Sequence, residues 1–147
     1  MSEPLRLGVA GLGTVGIGTV KIIQRHADLI ARRAGRPVTI TAVSARDRTK
    51  NRDADLSGYG WQEDAVALAR RDDVDVFVEL MGGAEGVALK ATKAAIATGK
   101  DVVTANKAML ALHGQALAEA AEAKGHVIRF EAAVAGGIPV IKALTEG

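Results

Sequence analysis

The chain has 147 residues, 48% hydrophobic and 24% charged, the balance of one folded water-soluble domain with room for a sizeable core. A formal charge of +2 with 3% aromatic residues excludes both a nucleic-acid footprint and a platform for stacking bases. Without cysteine there are no disulfides, thiolate metal sites or cysteine nucleophiles, so a cytoplasmic setting is expected, and neither a leader at 1–7 nor a membrane-length apolar run is read.

Short apolar runs alternate with helix-length amphipathic segments, the pattern of a parallel sheet covered by helices. Leu5–Ala10 reads as the first strand and runs directly into a glycine loop. From Thr14, the residues Val15, Val20, Ile23, Ala27 and Ile30 share one face, which predicts a single helix over Thr14–Gly35 ended by Gly35. Val38–Ser44 is the second strand, and 45–60 lacks periodicity and reads as a surface loop. A helix over Gln62–Arg71, a strand over Val74–Leu80 and a helix over Glu85–Thr98 closed by Gly99 follow. Then come a strand at Asp101–Thr104, a helix over Gly114–Lys124 closed by Gly125, and a strand at Val127–Glu131. Pro139–Glu146 opens as a further helix, with proline in its first turn. The expectation is a Rossmann-type, doubly wound α/β domain of five strands over 1–147. Residues 139–147 would begin a connection to further chain.

The loop Gly11-Leu12-Gly13-Thr14-Val15-Gly16 has the G-x-G-x-x-G spacing of a dinucleotide site. Its first glycine serves the tight turn, its second lets backbone approach a pyrophosphate, and its third lets helix pack on strand. The phosphates would sit at the helix N-terminus, where free N–H groups and the helix dipole favour anions. The pattern alone is weak and could be a mere turn. Its position between an apolar strand and an amphipathic helix makes it specific. The adenosine ribose is met at the end of the second strand, where an acid would select NAD. Here stand Ser44 and Ala45, then Arg46, Arg48, Lys50 and Arg52. A guanidinium there can take the 2′-phosphate of NADP. A solvated basic loop is the competing reading, and Asp47 could still reach the ribose, so NAD and NADP both stay open. The turn Met81-Gly82-Gly83 and the segment Thr104-Ala105-Asn106-Lys107 end two further strands on the same sheet edge, where ligands bind. A lone lysine is usually solvated, but these loops would converge on one crevice. His26, His113 and His126 have no ligand spacing among themselves and read as surface or helix-end residues.

Three segments carry a family resemblance: Gly-Val-Ala-Gly-Leu-Gly-Thr-Val-Gly at 8–16, Val-Val-Thr-Ala-Asn-Lys-Ala at 102–108, and Phe-Glu-Ala-Ala-Val-Ala-Gly-Gly-Ile-Pro-Val-Ile at 130–141. The first is shared by many dehydrogenases; the other two are far more specific. Together they make the chain resemble the homoserine dehydrogenases along its whole length.

The resemblance implies reversible hydride transfer between NAD(P)H and L-aspartate 4-semialdehyde, giving L-homoserine, within amino-acid biosynthesis leading to threonine and methionine. It implies Lys107 as the catalytic cation. It adds Thr14 and Val15 as pyrophosphate contacts, so the expected cofactor set is Gly11, Gly13, Thr14, Val15, Gly16, Ala45, Arg46, Met81, Gly82, Thr104, Asn106 and Lys107. A monovalent cation, usually sodium, would be held by backbone carbonyls of Glu131, Val134, Gly136 and Ile138. Family members continue into a substrate and dimerisation domain with a second lysine and acidic residues. A homodimer is therefore expected of the longer protein, and little activity of this chain alone. The alternative is a stand-alone NAD(P)-binding regulatory module without catalysis. The acyl-enzyme chemistry of aspartate-semialdehyde dehydrogenases is excluded, since it needs a cysteine.

Overall fold

A computed structural model of the chain describes residues 3–130. It contains one parallel sheet in the order β3-β2-β1-β4-β5-β6. The strands are β1 (Leu5–Ala10), β2 (Val38–Ser44), β3 (Gly60–Gln62), β4 (Val76–Glu79), β5 (Asp101–Thr104) and β6 (Ile128–Phe130). The helices are α1 (Thr14–Arg25), α2 (Ala27–Ala34), α3 (Ala65–Ala69), α4 (Val87–Ala97) and α5 (Lys107–Ala123). From β1 the chain winds outward through β2 and β3, then returns to the other side of β1 for β4, β5 and β6. The reversal leaves a crevice outside the carboxyl ends of β1 and β4, the position at which such sheets take ligands.

Alternation along the strands sends side chains to two separate cores. On β4, Phe77 joins Leu68, Ala91, Ile96, Met109 and Leu117 from α3, α4 and α5. Val76 and Val78 join Val20, Ile23 and Ile30 from α1 and α2 on the opposite face. Helices on both faces explain why the strands read as continuous apolar runs.

Among the described residues the sheet has six strands where five were expected. The extra one, β3, lies inside what read as loop and helix; Gly60, Trp61 and Gln62 pair with Ala42, Val43 and Ser44. Three residues are too few to show a period. The expected helix at Gln62–Arg71 accordingly shrinks to Ala65–Ala69, started by Asp64, whose side chain accepts from the Val66 N–H at 2.9 Å. The single helix expected at Thr14–Gly35 is two, broken at His26 (φ −115°, ψ 30°). The second has its own charge pattern, Asp28 in the first turn and Arg32 and Arg33 in the last, which suits a separate helix dipole. The helix expected from Gly114 begins at Lys107, because Asn106 caps it by accepting from the Met109 N–H at 3.0 Å, and Gly114 lies in its interior. The helix expected at Pro139–Glu146 lies outside the described residues.

Close approach of α1 to β1 requires glycine at position 16. A Cβ there would lie 1.8 Å from the Gly11 carbonyl oxygen, and backbone cannot swing aside as a side chain can. Gly16→Ala is therefore expected to destabilise the fold by about 3 kcal/mol, the upper end of ordinary overpacking. It would appear as a lower urea midpoint at unchanged slope. An unchanged midpoint would show that helix and strand can separate freely there.

Candidate functional site

The first strand delivers the chain to the crevice through Gly11, whose backbone (φ 102°) and position both require glycine. Its N–H donates to the Ser44 carbonyl at 3.0 Å, and a Cβ would stand 2.6 Å from the Leu80 carbonyl oxygen. Gly13 then caps α1 without any side-chain hydrogen bond, and the first turn of α1 carries no acid. Among the described residues, no side chain caps the opening N–H groups of that helix, which leaves them available to a ligand. A Cβ on Gly13 would meet nothing within 4 Å, so the loop presents bare backbone to open space.

Around this loop lies an open cleft of about 530 Å³, within the range of small-molecule sites. Gly11, Gly13, Ala45, Arg46, Met81 and Gly82 all line it, so six of the expected cofactor residues are brought together. Asp47, Lys50, Arg52, Glu63, Asp64 and Val87 line it too. Thr14 is exposed and Val15 half-buried at the head of α1, with Gly16 buried beneath them against Gly11.

The basic loop separates into distinct environments. Arg46, Lys50 and Arg52 face the cleft, whereas Arg48 is absent from its lining. Arg48 and Arg52 lie over the ring of Trp61, 5.7 and 5.5 Å from its centroid. The Arg52 Nε and the Trp61 Nε1 are buried without a hydrogen-bond partner among the described residues. Asp47 is engaged locally. Its carboxylate accepts from the Thr49 hydroxyl at 2.7 Å and the Thr49 N–H at 3.0 Å, and these bonds hold its pKa below the ordinary carboxylate value.

The remaining expected residues sit beside the cleft rather than in its lining. Thr104 is fully buried, and its hydroxyl donates to Glu79 Oε1 at 2.6 Å. Asn106 is also buried; its amide donates to the Gly83 carbonyl while its oxygen caps α5. Lys107 is the first residue of α5 and is exposed, held to the Met81–Gly83 turn through its neighbour Asn106. Glu131, Val134, Gly136 and Ile138 lie outside the described residues. Among the described residues, no group of histidine and acidic side chains is arranged to hold a metal ion. No helix there is long and apolar enough to cross a membrane.

Sequence reading missed Glu79. It is fully buried at the end of β4, and Oε2 accepts from the Met81 and Gly82 N–H groups at 2.7 and 3.1 Å. A lone acid closing the apolar run Val76-Phe77-Val78 was the available signal.

An uncapped glycine loop at the reversal of a parallel sheet defines a dinucleotide site but is shared by many dehydrogenases. Residues 11–131 match the family model described as homoserine dehydrogenase, NAD binding domain. The chain belongs to that family. It is similar to the homoserine dehydrogenase of Pseudomonas aeruginosa, 46% identical over 148 residues that cover 99% of this chain and 33% of the relative. The enzyme of Neisseria gonorrhoeae is 45% identical over 99% of this chain and 33% of its own length. Among solved structures, homoserine dehydrogenase from Thiobacillus denitrificans superposes with a TM-score of 0.82 at 43% identity, over 96% of this chain and 32% of that one. The Staphylococcus aureus enzyme at pH 8.5 gives 0.80 at 35% identity, over 89% and 33%. The chain thus spans about a third of the length of the relatives it matches. These relatives are homoserine dehydrogenases, of which the chain matches the NAD-binding domain. Membership of this family also brings the binding of a nicotinamide dinucleotide, NAD or NADP.

Proposed function

We propose that the cleft binds NADPH at least as well as NADH, with the pyrophosphate on the glycine loop and the adenosine ribose toward Arg46. The observation that carries this reading is the uncapped α1 N-terminus facing a cleft whose ribose end holds Arg46, Lys50 and Arg52, while Asp47 is turned to Thr49. Arg46→Ala is expected to weaken NADPH about tenfold and leave NADH nearly unchanged, the low end for a lost charge-assisted phosphate contact at an exposed site. Arg48→Ala, on the Trp61 side, should change neither. Paired calorimetric titrations check this; equal loss of both cofactors on Arg46→Ala would sink the assignment.

In the longer protein we propose interconversion of L-aspartate 4-semialdehyde and L-homoserine. The nicotinamide ring, when bound, supplies or receives the hydride. Lys107, exposed beside the Met81–Gly83 turn, would set its ammonium against the oxygen of the carbonyl, stabilising alkoxide charge and delivering a proton. Homodimerisation, a cytoplasmic setting and a sodium-like cation on the carbonyls of 131–138 belong to the same proposal.

A further inference from the structure

Glu79 is buried beneath the turn that follows β4, and among the described residues every hydrogen bond of its side chain comes from that turn or from Thr104 at the end of β5. Its Oε2 receives the N–H groups of Met81 and Gly82, and its Oε1 receives the Thr104 hydroxyl. The Asn106 N–H, which can only donate, points at the Thr104 hydroxyl oxygen at 3.0 Å, so the hydroxyl proton is directed to Glu79. Asn106 then reaches back with its amide to the Gly83 carbonyl and caps the helix that Lys107 begins. The Glu79 carbonyl also accepts from the Ala105 N–H at 3.2 Å. The result is a closed ring of hydrogen bonds: Glu79 to the Met81–Gly82 backbone, Gly83 to Asn106, Asn106 to Thr104, and Thr104 back to Glu79.

We propose that Glu79 is a positioning residue for the nicotinamide half of the cleft, locking the Met81–Gly83 turn to the Thr104–Lys107 turn so that both meet the ring preorganised. The side chain suited to this place accepts only, since three donors converge on it. Glutamine has the same shape but must turn its NH2 either toward two N–H donors, losing two contacts, or toward the Thr104 hydroxyl proton, losing one. The hydrogen-bonded ring serves one half of the site. Its members belong to β4, β5 and the turns after them, whereas the glycine loop and Arg46 belong to β1, β2 and the turns after those. Adenosine and nicotinamide lie on opposite sides of the reversal point in such sheets, so a fault among these bonds reaches the nicotinamide first.

The inference rests on the cofactor reading above, and the test separates the two. The 147-residue chain is titrated with NADPH and with 2′-phospho-ADP-ribose, the same molecule without the nicotinamide. Glu79→Gln and Thr104→Val are each expected to weaken NADPH about tenfold, as unsatisfied buried partners loosen the turn, while the nicotinamide-free ligand stays within about twofold. Thr104→Ser, which keeps the hydroxyl, should bind both like the parent. The rise in reduced-nicotinamide fluorescence on binding should shrink in the first two variants and persist in the third. If the parent chain binds neither ligand, the cofactor reading fails and this proposal with it. If the parent binds both and the variants lose both equally, or lose nothing for NADPH, Glu79 is structural only and the proposal is overturned. Should Glu79→Gln fail to fold, the contrast between Thr104→Val and Thr104→Ser separates the same outcomes.

Discussion

Gly13→Val is expected to abolish measurable NADPH binding while the protein remains folded. The position has ordinary extended backbone (φ −76°, ψ −159°), so a side chain brings no left-handed strain. It is exposed, and an added Cβ touches no protein atom within 4 Å. Folding therefore loses little beyond a poorer helix cap, about 1 kcal/mol. The ligand, by contrast, needs that space, because the pyrophosphate must come within hydrogen-bond distance of the N–H groups at the start of α1. An isopropyl group holds it off. Losing two charge-assisted contacts at roughly 1.5–3 kcal/mol each removes about a hundredfold or more in affinity. Calorimetry for binding and urea unfolding for stability measure the two effects independently. A variant that folds and binds NADPH as the parent does would reduce the glycine loop to a turn. The contrast with Gly16 is built into the same motif: there an added Cβ strikes the Gly11 backbone, so the fold is damaged before any ligand arrives.

Supplied with NADPH and L-aspartate 4-semialdehyde, the 147-residue chain is expected to turn over at least about a thousandfold more slowly than a full-length relative such as the Pseudomonas aeruginosa enzyme, since positioning the aldehyde supplies roughly 7–11 kcal/mol of the barrier. The chain matches a third of that enzyme. Among the described residues, Lys107 is exposed and the cleft is open, so charge developing on a carbonyl oxygen would be shared with water. A cation is far more effective toward an oxyanion in a closed, low-dielectric site. Absorbance of NADPH followed under identical conditions for both proteins decides the matter. A rate within tenfold of the relative, lost on Lys107→Ala, would show that this chain is a complete catalyst.

Residues near in sequence made most of the domain legible. Strands at 5–10, 38–44 and 101–104 announce themselves through short apolar runs such as Val9-Ala10, Ala42-Val43 and Val102-Val103, which a sheet covered on both faces buries. The glycine loop is equally local, since its three glycines answer to constraints within six residues. Elements whose existence depends on a partner elsewhere were not legible. β3 is a strand only because Ala42–Ser44 offers it a ladder, and the helix break at His26 is visible only in the backbone. The site divides along the same line. Sequence alone placed Gly11, Gly13, Arg46, Met81 and Lys107 on one sheet edge, by motif and by strand ends. Tertiary structure decided which arginines face the cleft: Arg48 and Arg52 both lie over Trp61, but only Arg52 also lines the cleft, beside Arg46. It also turned the Thr104 hydroxyl inward and disclosed Glu79 as its partner, 25 residues away in the chain. A buried carboxylate persists only where donors converge on it, and those donors come from loops that meet only when the sheet is assembled.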